Sequence, residues 1–147
     1  MLAVLDIGKT HSRILVLDAD GSPRAERRRK NATVERGGTL DAEAIEQWLM
    51  ATLAELARDF AISAIVPVGH GATAALVDGD RLAAPVLDYE ADPPADIAAA
   101  YEKLRDGFAE TLSPRLPHGL NLGAQLYWQE TLHPELWPSR AEALLWP

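Results

Sequence analysis

The chain opens on two short apolar segments separated by a glycine-bearing turn, and this arrangement constrains its fold more than any other feature. Residues 1–6 form an apolar run that ends on Asp6, residues 7–11 contain Gly8, and residues 12–18 form a second extended run. Apolar runs of this length, bounded by turn residues, are typical of strands. The sequence therefore predicts a β-hairpin at its start.

The next segments alternate between strand and helix patterns. Residues 24–33 are mostly polar and predict an edge strand. Asp41 is a suitable N-cap for a helix, because apolar residues repeat at helical spacing from there to Phe60. The apolar composition of residues 62–68 predicts a buried, central strand. Three strands, a helical crossover and a fourth strand are the order of a ribonuclease H-like layered α/β fold.

The second half of the chain carries shorter elements. Residues 72–77 and 82–87 predict extended segments around a turn at residues 78–80. The later expectations are a helix at residues 96–108 with Ile97, Tyr101, Leu104 and Phe108 on one face, a proline-bearing loop at 111–121, a short helix at 122–131, and a last helical turn at 140–145 capped by Ser139.

Composition narrows the functional classes. The 147 residues include 14 basic and 22 acidic side chains, giving a net charge of −8, which argues against nucleic acid as a partner. The basic cluster at residues 24–30 is interpreted as the solvated face of a strand. Cysteine is absent, so disulfides and thiolate metal sites are excluded. Neither a signal peptide nor an apolar run of the ~20 residues that cross a bilayer is visible, and a cytoplasmic protein is expected.

The turn between the first two strands concentrates groups that suit a phosphate. Because Gly8 lacks a Cβ, backbone N–H groups around it can turn toward phosphate oxygens. Thr10 can donate a hydrogen bond, and Lys9 and Arg13 can offset phosphate charge. Asp6 can orient Mg²⁺ through its water shell. An ordinary hairpin turn, in which Asp and Gly are common, is the alternative that these residues leave open.

A P-loop is excluded as the source of this pattern. The string Gly-Lys-Thr at residues 8–10 matches the end of a P-loop, but that motif requires a glycine five positions before Gly8. Position 3 is Ala3, inside the predicted strand. The segment after the turn also predicts a strand, where a P-loop would continue into a helix.

The string DIGKTHSRI at residues 6–14 resembles the first phosphate-binding hairpin of the sugar kinase, actin and heat-shock ATPase superfamily. The usual form of that hairpin is Asp-x-Gly-Thr-Thr/Ser-Ser-x-Lys/Arg. Asp6, Gly8, Thr10 and Arg13 match it, whereas Lys9 and His11 depart from it. The resemblance implies that the turn binds the phosphates of ATP, with Asp6 toward Mg²⁺.

The string ISAIVPVGHGATAALVDGDRLAAPVLDYE, at residues 62–90, resembles the sugar-binding stretch of FGGY-family carbohydrate kinases. The match implies sugar contacts at His70, Asp88, Tyr89 and Glu90. Carboxylates accept hydrogen bonds from sugar hydroxyls, and an aromatic face suits the C–H groups of a sugar. A loop histidine and surface carboxylates are the alternative interpretation. Gln125 lies in a further matching segment, where a packed helix with Tyr127 and Trp128 in the core is the favoured interpretation.

As a whole the sequence resembles the amino-terminal part of the first FGGY domain, closest to kinases of ketoses such as rhamnulose, fuculose or xylulose. The resemblance implies ATP-dependent phosphorylation of a small-molecule sugar by a longer protein, and it allows a homodimer. The general-base Asp would lie beyond residue 147 and the nucleotide-binding second domain is absent, so the chain alone is expected to be inactive. A non-catalytic sugar- or partner-binding module and a ribonuclease H-like nuclease are the alternatives.

Overall fold

The computed structural model of the chain describes residues 1–34, 38–69, 71–137 and 142–145, with the backbone alone at residues 33, 34 and 142–145. The chain forms two compact units. The first consists of Met1–Thr33 and Asp41–Gly71, and the second consists of Val34–Leu40 and the segment that begins at Ala72.

The elements follow one another in a mixed α/β order. The strands are β1 (Leu2–Ile7), β2 (His11–Leu17), β3 (Pro23–Lys30), β4 (Thr33–Val34), β5 (Thr39–Leu40), β6 (Ala64–Gly69), β7 (Ala74–Asp78), β8 (Arg81–Leu82), β9 (Val86–Leu87) and β10 (Glu142–Leu145). The helices are α1 (Ala42–Asp59), α2 (Ala95–Leu104), α3 (Phe108–Thr111) and α4 (Leu122–Leu132), with a 3-10 turn at Pro134–Leu136.

The first unit is built on a four-stranded sheet in the order β3-β2-β1-β6. Strands β1 and β2 pair antiparallel, and β6 runs parallel to β1. Alternate side chains of β2, namely Ser12, Ile14 and Val16, are fully buried, as expected for a strand with one face against a helix. The predicted hairpin is confirmed, and so is the edge position of β3, whose basic side chains are mostly exposed.

Helix α1 provides the crossover between β3 and β6. The side chain of Asp41 accepts a hydrogen bond from the backbone N–H of Ala44 at 3.1 Å, which confirms the predicted N-cap. Ile45, Leu49 and Leu56 are buried on the face of the helix that packs against the sheet. Burial of this stripe holds the helix on the sheet, because removing apolar surface from water is favourable.

The prediction of a buried, central strand at residues 62–68 is wrong in its burial and position. The strand exists as β6, but it lies at the end of the described sheet. Ile65, Val66 and Val68 remain 53%, 41% and 46% exposed. Apolar composition predicts that a segment can form a buried strand. Whether the strand is buried depends on the elements that pack against it, which composition does not show.

The second unit contains two three-stranded sheets, in the orders β10-β7-β8 and β4-β5-β9. Strand β7 turns into β8 through Gly79, which adopts a φ of +60°, so the predicted hairpin turn is confirmed. A core cluster of Leu87, Ile97 and Trp128 joins β9, α2 and α4. The predicted helix at residues 122–131 is confirmed as α4.

Two predictions in this unit need correction. The helix expected over residues 96–108 ends at Leu104, and Phe108 begins the separate helix α3. The break lies at Asp106 and Gly107, because glycine is a poor helix former, and it leaves Leu104 and Phe108 exposed. The last helical turn expected at residues 140–145 is also wrong at its described positions, where Glu142–Leu145 pairs antiparallel with β7. The Ser139 cap lies outside the described residues.

Within the described part of the chain, the helices lack the combination of length and apolar composition that spanning a bilayer requires.

Candidate functional site

The predicted phosphate-binding residues lie together in the tight turn between β1 and β2. The backbone N–H of Gly8 donates to the carbonyl of His11 at 2.9 Å and closes the turn. A Cβ at position 8 would lie 3.0 Å from that carbonyl oxygen, which is tighter than most real Cβ contacts. Glycine therefore fits the close approach of the two strands here without any shift of the neighbouring carbonyl.

An ion pair spans the base of this turn. Asp6 and Arg13 are directly opposed in the register of β1 and β2. Arg13 Nη2 donates to Asp6 Oδ2 at 2.8 Å, and the two side chains are each 41% exposed. The pair thus places a carboxylate and a guanidinium beside Gly8, and water reaches both groups.

The tip of the turn carries hydroxyl and imidazole groups. Thr10 Oγ1 lies 3.2 Å from His11 Nδ1, within hydrogen-bonding distance. Thr10 is exposed, and Lys9 and His11 are half-buried. Hydroxyls, cations and main-chain N–H groups at one tight turn form a donor set that suits phosphate oxygens.

Asn31 braces the turn from the neighbouring strand, and the sequence analysis did not identify it. Its side chain is buried, and Nδ2 donates to the Gly8 carbonyl at 2.7 Å and to Ser12 Oγ at 2.9 Å. Its backbone N–H donates to the Thr10 carbonyl at 2.9 Å. An asparagine one residue past a polar strand was the available signal, but an asparagine at that place is common in ordinary turns.

Asp88, Tyr89 and Glu90 form a turn in the second unit that is fixed mainly through its backbone. Asp88 is buried, and its Oδ1 accepts from the Glu90 N–H at 2.9 Å. Its own N–H donates to the Gly38 carbonyl at 2.6 Å, and the Tyr89 carbonyl accepts from Gly119 N–H at 2.9 Å. Tyr89 is half-buried and Glu90 is exposed, so the three predicted sugar contacts differ widely in accessibility. His70, the fourth, lies outside the described residues.

Gln125 braces two loops of the second unit. The side chain is fully buried, and Nε2 donates to the carbonyls of Ala72 and Gly119. Because Gly119 also bonds to Tyr89, Gln125 supports the Asp88 turn indirectly. Trp128 is buried in the core one turn further along the helix. The packed-helix interpretation of this segment is the one that fits these contacts.

A cavity of about 440 Å³ lies beside α2 in the same unit. His118 lines it and bonds to Asp92 through Nδ1 at 2.7 Å. Arg115, also in the lining, lies 3.4 Å from Glu102. His118 and Arg115 are therefore each paired with a carboxylate.

The described residues do not bring three His, Cys, Asp or Glu side chains together in a way that could hold a metal ion. A magnesium ion held by Asp6 through water, with phosphate oxygens as further ligands, would not need such a cluster. The Mg²⁺ role of Asp6 stays a prediction.

Comparison with known proteins gives a clear set of structural neighbours. Neither a protein-family profile nor a curated protein sequence matches the chain. The chain is similar to a carbohydrate kinase from Novosphingobium aromaticivorans, with 42% identity and a TM-score of 0.90, over 98% of this chain and 31% of that one. It thus spans less than a third of that kinase's length.

Two more distant structures share the fold. A xylulose kinase from Rhodospirillum rubrum has 21% identity and a TM-score of 0.74, over 96% of this chain and 31% of its own. A glycerol kinase from Plasmodium falciparum with ADP has 10% identity and a TM-score of 0.71, over 98% and 32%. The likeness to carbohydrate kinases and the predicted layered α/β fold, that of the actin-like ATPases, are confirmed.

Proposed function

We propose that this chain is the amino-terminal part of the first domain of an FGGY-family sugar kinase, which transfers a phosphoryl group from ATP to a hydroxyl of a ketose. The observation that carries the proposal is the Gly8 turn, which joins a glycine, a carboxylate and two cations in a fold shared with carbohydrate kinases. The 42% identity to one such kinase supports it further.

The exposed strand β6 supports the proposal that the chain is part of a longer protein. Its apolar side chains Ile65, Val66 and Val68 are about half exposed, although the segment is among the most apolar in the sequence. In the described sheet β6 pairs with β1 and lies at the sheet end, where an apolar strand is a liability. A further strand and covering helices in a longer polypeptide would bury these side chains.

The residues of the turn would bind and orient the nucleotide. Phosphoryl transfer depends mainly on positioning and on stabilising charge. Lys9 and Arg13 would offset the charge of the phosphates, Thr10 would donate a hydrogen bond to them, and Asp6 would hold a water of the Mg²⁺ shell. Mg-ATP itself supplies the phosphoryl group and part of the charge neutralisation.

The turn at Asp88 would contribute to the sugar pocket. Glu90 is exposed and can accept hydrogen bonds from sugar hydroxyls, and Tyr89 offers an aromatic face. Asp88 would act mainly by holding the turn, since it is buried and its Oδ1 bonds to the Glu90 N–H. His70 completes the proposed set. The structural neighbours are kinases of different substrates, xylulose and glycerol, so they do not indicate one class of sugar. The proposal of a ketose therefore rests on the resemblance of residues 62–90.

The chain alone would not catalyse transfer. The general base is proposed to lie beyond residue 147, and loss of a base typically costs about 10²–10⁴ in rate. Cytoplasmic location and a homodimer also remain predictions. The alternative of a non-catalytic binding module is not favoured by these neighbours.

Two measurements test the proposal. First, the coding sequence beyond the Pro147 codon should continue into a frame with an Asp-bearing loop and a glycine-rich nucleotide segment. The longer polypeptide should then release ADP when supplied with ATP, Mg²⁺ and a ketose. A stop codon at that point, or an extended protein that turns over none of a panel of ketoses, polyols and aldoses, would contradict it.

Second, calorimetry should detect binding of a ketose to the 147-residue chain. The variant Glu90→Gln should weaken that binding, because it removes the charge of an exposed carboxylate and nearly keeps the shape of the side chain. Glu110→Gln, at another exposed carboxylate, on α3, is the matched control and should bind as the unsubstituted chain does. If the two substitutions had equal effects on ketose affinity, Glu90 would not be a sugar contact.

A further inference from the structure

Asn31 makes three hydrogen bonds to the Gly8 turn. One carboxamide nitrogen serves two acceptors, the Gly8 carbonyl and Ser12 Oγ, at 2.7 and 2.9 Å. The backbone N–H of the same residue holds the Thr10 carbonyl. Asn31 therefore fixes three alternate residues, Gly8, Thr10 and Ser12, from the end of the neighbouring strand.

The orientation of the Asn31 carboxamide follows from chemistry. The Gly8 carbonyl can only accept a hydrogen bond, so the atom facing it must be the donor Nδ2 and not Oδ1. Oδ1 is then left buried, with no hydrogen-bond partner among the residues that the structure describes. The two bonds donated by Nδ2 therefore hold the side chain in this orientation although Oδ1 is buried.

The bond to the Gly8 carbonyl has a consequence for the next residue. In a trans peptide the carbonyl of one residue and the N–H of the next point in opposite directions. By holding the Gly8 carbonyl on its own side, Asn31 directs the Lys9 N–H to the opposite side of the turn. The bond to the fully buried Ser12 Oγ anchors the Asn31 carboxamide in this orientation.

We propose that Asn31 is a positioning residue of the phosphate-binding turn, which fixes the Gly8–Lys9 peptide so that the Lys9 N–H faces the triphosphate of the nucleotide. The inference rests on the proposed function and adds to it a residue that the resemblance did not supply. It requires no contact between Asn31 and the nucleotide. Preorganised donors bind an anion better because no reorientation is needed on binding.

The test is an NMR titration of the ¹⁵N-labelled 147-residue chain with inorganic triphosphate and Mg²⁺. The variant Asn31→Leu has a similar volume and adds no charge, and Asn31→Ala is the second variant if the leucine does not fold. The matched control is Asn121→Leu. The Asn121 side chain also makes two hydrogen bonds, with Leu116 N–H at 2.8 Å and the Pro114 carbonyl at 3.1 Å, but in the second unit.

The expected result has two parts. Triphosphate should shift the Gly8, Lys9 and Thr10 amide signals of the unsubstituted chain, and the Asn31 variants should bind at least about tenfold more weakly, the effect of losing one hydrogen bond to a charged group. The Lys9 residual dipolar coupling should change in those variants while the couplings of β1 do not. The Asn121 variant should retain both the affinity and the coupling.

The outcomes separate the two proposals. If a folded Asn31 variant binds triphosphate as the unsubstituted chain does, the positioning role is overturned and the proposed function stands. If the unsubstituted chain shows no shift at the turn, the phosphate-binding role of the turn fails, and the role of Asn31 fails with it. A change in Lys9 coupling without any binding would also reject the nucleotide role and leave Asn31 as a structural brace.

Discussion

Arg13 Nη2 lies 2.8 Å from Asp6 Oδ2, so the two groups proposed to meet phosphate and Mg²⁺ are paired with each other when neither is bound. Each side chain is 41% exposed, and exposed ion pairs of this kind contribute only about 0–1 kcal/mol to stability. The pair can therefore open at little cost. It keeps both side chains at the turn while leaving them available to a ligand.

The weakness of this pair predicts that Asp6→Asn separates stability from ligand binding. We expect the free energy of unfolding to change by no more than about 1 kcal/mol, while the effect of Mg²⁺ on triphosphate affinity disappears. Urea unfolding and NMR titration with and without Mg²⁺ measure the two quantities. Asp18→Asn is the control, because Asp18 pairs with Arg24 at 3.7 Å across the turn between β2 and β3. Retained Mg²⁺ dependence in the Asp6 variant would exclude Asp6 from the metal site.

Gly38 should be far less tolerant of alanine than Gly79. Both have positive φ, +63° and +60°, so alanine costs about 1–2 kcal/mol at either. Only at position 38 would the new Cβ meet another atom, Ala91 Cβ at 2.5 Å, and overpacking adds about 1–3 kcal/mol.

Urea unfolding of Gly38→Ala and Gly79→Ala should show that difference. Because the Gly38 carbonyl accepts from the Asp88 N–H, the Gly38 variant should also bind ketose more weakly. Equal stability of the two variants would mean that position 38 can relax away from Ala91.

Gln125 and Gln129 lie one turn apart on α4 and predict opposite responses to leucine. Gln125→Leu leaves the Ala72 and Gly119 carbonyls without their donor, and we expect a loss of about 2–4 kcal/mol in the free energy of unfolding. Gln129 is equally buried, but neither amide atom finds a partner in the described part of the chain. Gln129→Leu should therefore be neutral or stabilising, as tryptophan fluorescence during urea unfolding would show. A large loss at Gln129 would reveal a hydrogen bond at that side chain.

The turn after β2 should respond to acid through Asp20. Hydrogen bonds with the side chain of Asp18, and then with the side chain and N–H of Ser22, lower the pKa of Asp20 from 3.8 to about 2. Because the pKa of Asp20 is lower in the folded chain, the ionised carboxylate stabilises the fold. This stabilisation is present above pH 3.8 and is lost as the pH falls toward 2.

Carbon-detected NMR titration of the Asp20 carboxyl measures this pKa directly. The variant Ser22→Ala should raise it toward 3.8, because the hydroxyl bond is removed while the Ser22 N–H is kept. A pKa of Asp20 near its ordinary value in the unsubstituted chain would show that the turn is open in solution.

Local patterns predicted the parts of the fold whose cause is local. The Asp41 cap, the Gly79 turn and the β1–β2 hairpin follow from residues close together in the sequence. Glu142–Leu145 contains good helix formers, yet it is a strand because β7, more than sixty residues earlier, pairs with it. The sequence of the segment does not show this pairing. The tertiary contact with β7 thus overrides the local preference for a helix.

The candidate site was predictable in the same unequal way. Asp6, Gly8, Thr10 and Arg13 form a contiguous pattern with recognisable chemistry. Asn31 lies more than twenty residues after Gly8, and its two side-chain bonds depend on the register of β2 with β3. The sequence also did not predict that Asp88 is buried and Glu90 exposed. The burial of side chains in a turn depends on the loops that pack against it, which are distant in the sequence.

The unpaired edge of β6 also predicts how the isolated chain should associate in solution. Unpaired strand edges with apolar side chains template the addition of further strands from any source. As the concentration of the chain rises, we expect molecules to add to one another at Val66 and its neighbours, in assemblies with no fixed number of copies. A lysine at that position would be the simplest means of keeping samples dispersed for spectroscopy.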